Sequence, residues 1–199
     1  MSRVLVGVVF ALLLPNYSFA HSGDSFTTTF GTPTIDGIQS TGEWDTAVQI
    51  PVFTLAPGTV YIMHDFTNLY FALRVTDNTL GNDDRFEIRF DNAHNGTIDD
   101  GDDELRLGGL SLFRDAHFEA SIPTFGIHDA QQDGSGAAGH AGADNFFEIS
   151  HPLNSGEVDD IAIAEGDSIS FCLRYFLDGT SYASGTGFPK HSFWLETSN

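Results

Sequence analysis

Cysteine is almost absent from this sequence: Cys172 stands alone among 199 residues, which excludes an intrachain disulfide. Stability has to come from packing, with or without bound metal. Cys172 lies in the strand-like run Ile169-Ser-Phe-Cys-Leu-Arg-Tyr175 and reads as a buried hydrophobe rather than a nucleophile. Basic residues are scarce too: eight Lys and Arg face 28 Asp and Glu, for a formal net charge of −20. That balance disfavours nucleic acid and anionic lipid headgroups as partners. No segment sustains a helical period, no internal repeat recurs, and no linker divides the chain. The one long apolar run, Val4 to Leu14, is shorter than the ~20 residues a membrane helix needs.

That run has a different meaning. Met1-Ser-Arg3 precedes it, and Pro15-Asn-Tyr-Ser-Phe-Ala20 follows, with Ser18 and Ala20 at the small positions of a cleavage site. This is the pattern of a signal peptide. The expected organisation is a signal peptide over 1–20, a flexible lead-in over 21–31 and one domain over 32–199. The destination is a periplasm, a cell surface or the medium, with no membrane insertion after cleavage.

Phenylalanine is plentiful, at 18 residues against two Met and two Trp, so the core is expected to be aromatic. Short strands with frequent turns fill the rest. Val48–Phe53, Thr59–His64, Leu69–Val75, Arg85–Phe90, Glu104–Leu107, Asn145–Ile149, Ser168–Phe176 and Phe193–Leu195 all read as strands, by alternation or β-branched content. Asp36-Gly37 and Asp178-Gly179 are turn dipeptides. Ala130 to Asp144, rich in Gly and Ala, is expected to be a long flexible loop. The fold class is all-β, a single antiparallel β-sandwich.

One stretch is dense in carboxylates. After the strand Arg85-Phe-Glu-Ile-Arg-Phe90, the acids Asp91, Asp99, Asp100, Asp102, Asp103 and Glu104 crowd together. Such crowding is unfavourable unless solvent or a cation offsets it. Asp91, Asn95, Gly96, Asp99 and Asp102 follow much of the calcium-loop template, in which oxygens at alternate positions converge round a tight turn. Ala93 stands where that template has a ligand oxygen. The predicted ligands of a structural Ca²⁺ are Asp91, Asn95, Asp99, Asp102 and Asp103. Asp77, Asn78, Asn82, Asp83 and Asp84 form a weaker oxygen cluster. The histidines show no metal-binding spacing, although His21, as a mature N-terminus, has the groups that chelate copper. No Gly-x-Ser-x-Gly elbow occurs, and the acids sit on a surface loop rather than flanking a cleft as a glycosidase pair does. The chain does not read as an enzyme.

The order of these segments resembles that of family 9 carbohydrate-binding modules and the wider DOMON-like sandwich group. Thr32-Pro-Thr-Ile-Asp-Gly37 followed by Gly42-Glu-Trp-Asp45 is similar to their opening. Asp65-Phe-Thr-Asn-Leu-Tyr-Phe-Ala-Leu-Arg-Val-Thr-Asp77 is similar to their hairpin, and Asp84-Arg-Phe-Glu-Ile-Arg-Phe-Asp91 to their Asp-x-Val-Glu-Ile-x-x-Asp strand. Asn145-Phe-Phe-Glu-Ile149 matches a later strand with an acid after two aromatics. The resemblance spans about Thr32 to Tyr175. It implies a jelly-roll-type sandwich, bound calcium and sugar binding.

In those modules two Trp rings hold the sugar, one of them before the Asp-x-Val-Glu strand. Here that neighbourhood is Thr79-Leu-Gly-Asn-Asp83, without a ring. Trp194 is therefore the expected platform, and Trp44 is expected in the core. The group's haem-binding branch uses a Met and a His, but Met63 and His64 are adjacent on a strand and point to opposite faces. The expected function is binding of carbohydrate or another extracellular polymer by a calcium-stabilised, non-catalytic module. The alternative is a cell-surface matrix protein without a small ligand; a copper or haem protein comes third.

Overall fold

A computed structural model describes residues 24–53, 56–93, 95, 97–119, 122–164, 166–183 and 191–195. The predicted signal peptide and His21 lie outside them, as do the side chains of 24–25, 122–125, 182–183 and 191–195. Among the described residues there is no helix, and none long and apolar enough to cross a membrane. Thirteen strands are present among the described residues. They are β1 (Asp24–Phe30), β2 (Val48–Val52), β3 (Gly58–His64), β4 (Asn68–Thr76), β5 (Arg85–Asp91), β6 (Asp103–Gly108), β7 (Phe113–Glu119), β8 (Ile122–His128), β9 (Ser135–Ala141), β10 (Asp144–Pro152), β11 (Ser168–Leu177), β12 (Thr180–Ala183) and β13 (His191–Leu195).

They form two sheets stacked as a sandwich. One runs β8-β7-β6-β5-β11-β13-β1, with β12 also on β11; the other runs β1-β3-β4-β10-β9, with β2 also on β3. β1 belongs to both: Asp24 to Thr28 pair with β13, and Thr29 and Phe30 pair with β3. Both of these pairings are parallel, against an otherwise antiparallel pattern.

Alternation explains the layers. Phe86, Ile88 and Phe90 of β5 face inward, as do Leu105 and Leu107 of β6, and Phe171, Leu173 and Tyr175 of β11. Across the gap they meet Phe71 and Leu73 of β4 and Phe147 and Ile149 of β10. The rings of Phe71, Phe90 and Phe171 touch, with centroids 5.5–6.4 Å apart, so the expected aromatic core is present. Cys172 is buried on the opposite side of β11 from this core, and burial pushes its thiol up to about 12.

The β3–β4 hairpin closes on Asp65. Its Oδ1 accepts the backbone N–H groups of Thr67 and Asn68, each at 2.7 Å, and its Oδ2 accepts the Tyr70 hydroxyl at 2.6 Å. Burial alone would raise this carboxyl, but the hydrogen bonds outweigh it and hold it at about 2. In the β11–β12 hairpin, Asp178 and Gly179 both take positive φ, at 47° and 78°, the backbone of a type I′ turn.

Two expectations are corrected. The lead-in over 21–31 contains β1: Asp24–Phe30 carries Thr and Phe, strand-favouring residues, and joins the two sheets. The expected loop over 130–144 contains β9, an edge strand of Ser, Gly and Ala with one His, His140, that pairs along β10 from Ser150 to Asp144. Small residues are needed there. A Cβ on Gly136 would stand 2.8 Å from Leu107 Cδ1, and one on Gly139 would stand 2.1 Å from the Gly37 carbonyl oxygen. The apolar signal of the strand is missing because its neighbours supply the side chains.

Candidate functional site

The two outer faces of the sandwich differ. That of the β3-β4-β10 sheet is covered by the segment 31–47, which lays Trp44 and Ile35 over Tyr61, Met63, Tyr70, Ala72 and Phe146. Trp44 is 2% exposed, a core residue as expected, and its Nε1 donates to Glu148 Oε1 at 3.0 Å. Glu148 Oε2 accepts the backbone N–H groups of Asp36 (2.9 Å) and Gly37 (2.7 Å). The Ile-Asp-Gly turn, the Trp and the late-strand acid, far apart in sequence, are thus one structural clasp.

The outer face of the β5-β6-β11 sheet is built differently, and β8 lies against part of it: a Cβ on Gly126 would stand 2.9 Å from Ala116 Cβ and 3.6 Å from Glu104 Cβ. This face carries charge. Register places Arg174, Glu87, Arg106 and Arg114 in one row across β11, β5, β6 and β7, and Arg89 beside Glu104 in the next. Glu87 is 1% exposed. Its Oε1 accepts from Arg85 Nε at 2.7 Å and lies 3.2 Å from Arg106 Nε; its Oε2 lies 3.1 Å from Arg174 and 3.5 Å from Arg89. Glu104 accepts from Arg89 Nε at 2.6 Å and from Arg106. Arg85 stacks 3.5 Å over the Phe176 ring. Burial, with Arg89 nearby, holds the Arg174 guanidinium below its ordinary value. In a protein of net charge −20, this face concentrates the arginines. Glu87 and Glu104 are buried within these pairs, so what the face offers a ligand is the partly exposed guanidinium groups of Arg85, Arg106 and Arg174, donors that suit hydroxyl oxygens. Trp194 pairs through its backbone with Ser168 of the same sheet; its side chain lies outside the described residues.

The predicted calcium ligands separate. Asp91, Asp99 and Asp102 crowd one another at the loop, and burial followed by those charges raises Asp102, against the hydrogen bonds from Asp99 and Asn92. Asp91 Oδ1 accepts the Asn95 N–H at 3.1 Å, Asp102 accepts the N–H groups of Asn92 (2.9 Å) and Asp99 (2.7 Å), and Asn95 donates to Asp99. Asp103 leaves this group. It follows Asp102 directly, so its side chain turns to the other face, between the sheets. The weaker cluster is structural: Asp77 Oδ2 accepts from Tyr175 (2.7 Å) and Asn145 (3.0 Å), and Asp84 takes the N–H groups of Gly81 and Asp178.

Where Asp103 points, motif reading found nothing. Asp103, Asp115 and His151 of β10 are fully buried there, beside Asp160 of the 153–167 connection, also buried, and the half-buried Asp129 after β8. Ligand atoms of Asp115, His151 and Asp160 lie within 4.8 Å of one another, as do those of Asp103, Asp115 and Asp129. Burial, followed by repulsion from Asp115, raises Asp103 well above the usual carboxylate range; burial also raises Asp129 and Asp160. The signal was present in the strands' phase. Asp103 alternates with Leu105 and Leu107, Asp115 with Phe113, and His151 with Phe147 and Ile149: polar residues at core positions.

No family model matches this chain, and no curated protein matches it in sequence. Solved structures do. A family 9 carbohydrate-binding module from Caldicellulosiruptor kristjanssonii in complex with cellotriose superposes with a TM-score of 0.63 at 16% identity, over 88% of this chain and 95% of that one. The same organism's module in complex with glucose gives 0.61 at 15%, over 88% and 98%. A proposed carbohydrate-binding protein from Bacteroides uniformis gives 0.57 at 10%, over 86% and 99%. At such identities the likeness establishes the fold: the chain is built as these sandwiches are.

Proposed function

We propose that the protein is a secreted, non-catalytic module that binds carbohydrate across the outer face of β5, β6 and β11. The observation that carries this reading is the Glu87–arginine lattice, whose guanidinium groups of Arg85, Arg106 and Arg174 reach the surface, in a fold shared with sugar-bound modules. Sugar hydroxyl oxygens accept hydrogen bonds, so the guanidinium N–H groups that the lattice leaves over can meet them. Trp194, at a register position on this sheet, is the proposed stacking platform. The test is retention on insoluble polysaccharides together with a glycan array, using the mature chain. Trp194→Ala and Arg106→Ala are each expected to weaken binding about 10–100-fold while the melting curve stays cooperative. A wild-type protein retained by no glycan overturns the reading and favours the matrix-protein alternative.

Calcium at the loop is the second part of the proposal. Asp91, Asp99 and Asp102, with Asn95, are the proposed ligands, since each carboxylate oxygen that accepts an N–H keeps a lone pair. Millimolar Ca²⁺ is expected to raise the melting temperature of EDTA-treated protein by about 5 °C. Asp91→Asn should abolish that response, and identical wild-type curves with and without Ca²⁺ remove calcium from the account.

A further inference from the structure

We propose that Asp103, Asp115, Asp129, Asp160 and His151 form a buried site for a divalent metal ion of the zinc or manganese class. The site is distinct from the surface loop and independent of the sugar-binding reading.

The first support is how each side chain is pinned. Asp103 Oδ2 accepts the Ile161 N–H at 3.0 Å, which leaves Oδ1 buried with no hydrogen-bond partner. Asp115 Oδ2 accepts the Asp133 N–H at 3.3 Å, while its Oδ1 is buried and unpartnered. Asp129 Oδ1 is held by His117 Nδ1, and its Oδ2 has no partner. Each of these three carboxylates is thus fixed by one oxygen and leaves the other open. Asp103 and Asp115 are both 0% exposed, and burying such charges uncompensated is strongly unfavourable. A cation offsets that penalty.

The second support is the histidine. His151 is 0% exposed, and its Nδ1 lies 2.8 Å from the Pro152 carbonyl oxygen, which can only accept. Nδ1 therefore carries the proton, and in the neutral ring Nε2 presents a lone pair. That lone pair faces Asp115 Oδ2 at 3.1 Å and Asp160 Oδ2 at 3.8 Å. Lone pairs so opposed repel one another unless a proton or a metal ion lies among them. A carbonyl that orients the far ring nitrogen is the usual outer support of a metal-bound histidine.

The third is placement. Asp103 and Asp115 lie on β6 and β7 of one sheet, His151 on β10 of the other, and Asp160 on the connection that follows β10. An ion there ties the two sheets at the end of the apolar core. A cleft of about 540 Å³, lined by Asn92, Asp160, Ile163, Asp167 and Ile169, reaches the site's edge at Asp160. The mixed set of aspartates and one imidazole fits zinc or manganese; calcium takes six to eight oxygen ligands.

The test uses the mature, full-length chain. After EDTA treatment it is titrated separately with Zn²⁺, Mn²⁺ and Ca²⁺, and melting temperature and metal content are measured. Zn²⁺ or Mn²⁺ is expected to raise the melting temperature by about 10 °C, with at least one ion retained per chain. His151→Gln should abolish this response and leave the loop's Ca²⁺ response intact. Gln132 is exposed and brackets the Asp115 backbone, accepting its N–H and donating to its C=O. Gln132→Ala should fold and bind the ion about 10-fold more weakly. Should His151→Gln not fold, nitrogen coupling in the electron-spin-echo spectrum of Mn²⁺-loaded wild type reads the imidazole directly. No retained ion, a response to Ca²⁺ alone, or Mn²⁺ without nitrogen coupling overturns the proposal and leaves the cluster holding protons.

Discussion

Glu148→Ala is expected to destabilise the protein by about 3–5 kcal/mol and to lower its melting temperature by roughly 10–15 °C. The carboxylate is 0% exposed and accepts from Trp44 Nε1 at 3.0 Å, Asp36 N at 2.9 Å and Gly37 N at 2.7 Å. Alanine leaves the Trp44 and Gly37 donors buried without a partner and that of Asp36 half-buried, and each buried donor so left costs about 1–3 kcal/mol. Trp44 then loses its anchor, so its emission should shift to the red before global unfolding. Glu148→Gln keeps one acceptor oxygen and should fall between the two.

The same residue has a pH signature. Burial raises its carboxyl above its ordinary value of 4.5, with the Glu43 charge adding and the hydrogen bonds from Gly37, Asp36 and Trp44 opposing. A folded-state value above the unfolded one means that the native state holds the extra proton. This group's contribution is therefore greatest below the unfolded value and declines as pH rises through the folded one. Glu148→Gln should remove that decline, read as a flatter melting temperature from acid to neutral pH.

This clasp also shows what sequence can and cannot carry. Its parts were all legible: the Asp36-Gly37 turn, a core Trp44, and an acid after Phe146 and Phe147. Their convergence was not, because Glu148 lies more than a hundred positions from Asp36, Gly37 and Trp44. β3, β4, β5, β10 and β11 were readable because they alternate against one shared core. β9 was not, since Gly and Ala carry no period. Asp103 was assigned to the loop by its neighbours in sequence, yet a strand sends adjacent side chains to opposite faces. Its partners Asp115, Asp129, His151 and Asp160 come from other elements and follow no spacing rule. The lattice round Glu87 was half legible: Arg85, Glu87 and Arg89 stood on the polar face of their strand, while Arg106 and Arg174 joined only through register.

The quiet strand β9 supplies the other large effect. Gly139→Ala is expected to cost about 3 kcal/mol and to lower the melting temperature by roughly 6–12 °C. Its Cβ would stand 2.1 Å from the Gly37 carbonyl oxygen, which is backbone and cannot swing aside. Gly37 has little freedom to retreat: its φ is +80°, and its N–H is bound to Glu148 Oε2 at 2.7 Å. Either the turn lifts off β9 and releases Glu148, or β9 bends away from β10. The double variant separates these outcomes. If Gly139→Ala acts by lifting the turn, then in the Glu148→Ala background, where the turn is already loose, its further cost should fall below about 1 kcal/mol. Full additivity would place the strain in the β9–β10 ladder instead. Hydrogen exchange at Phe146 and Glu148, which pair with Gly139 and Ala137, would then rise in the single variant.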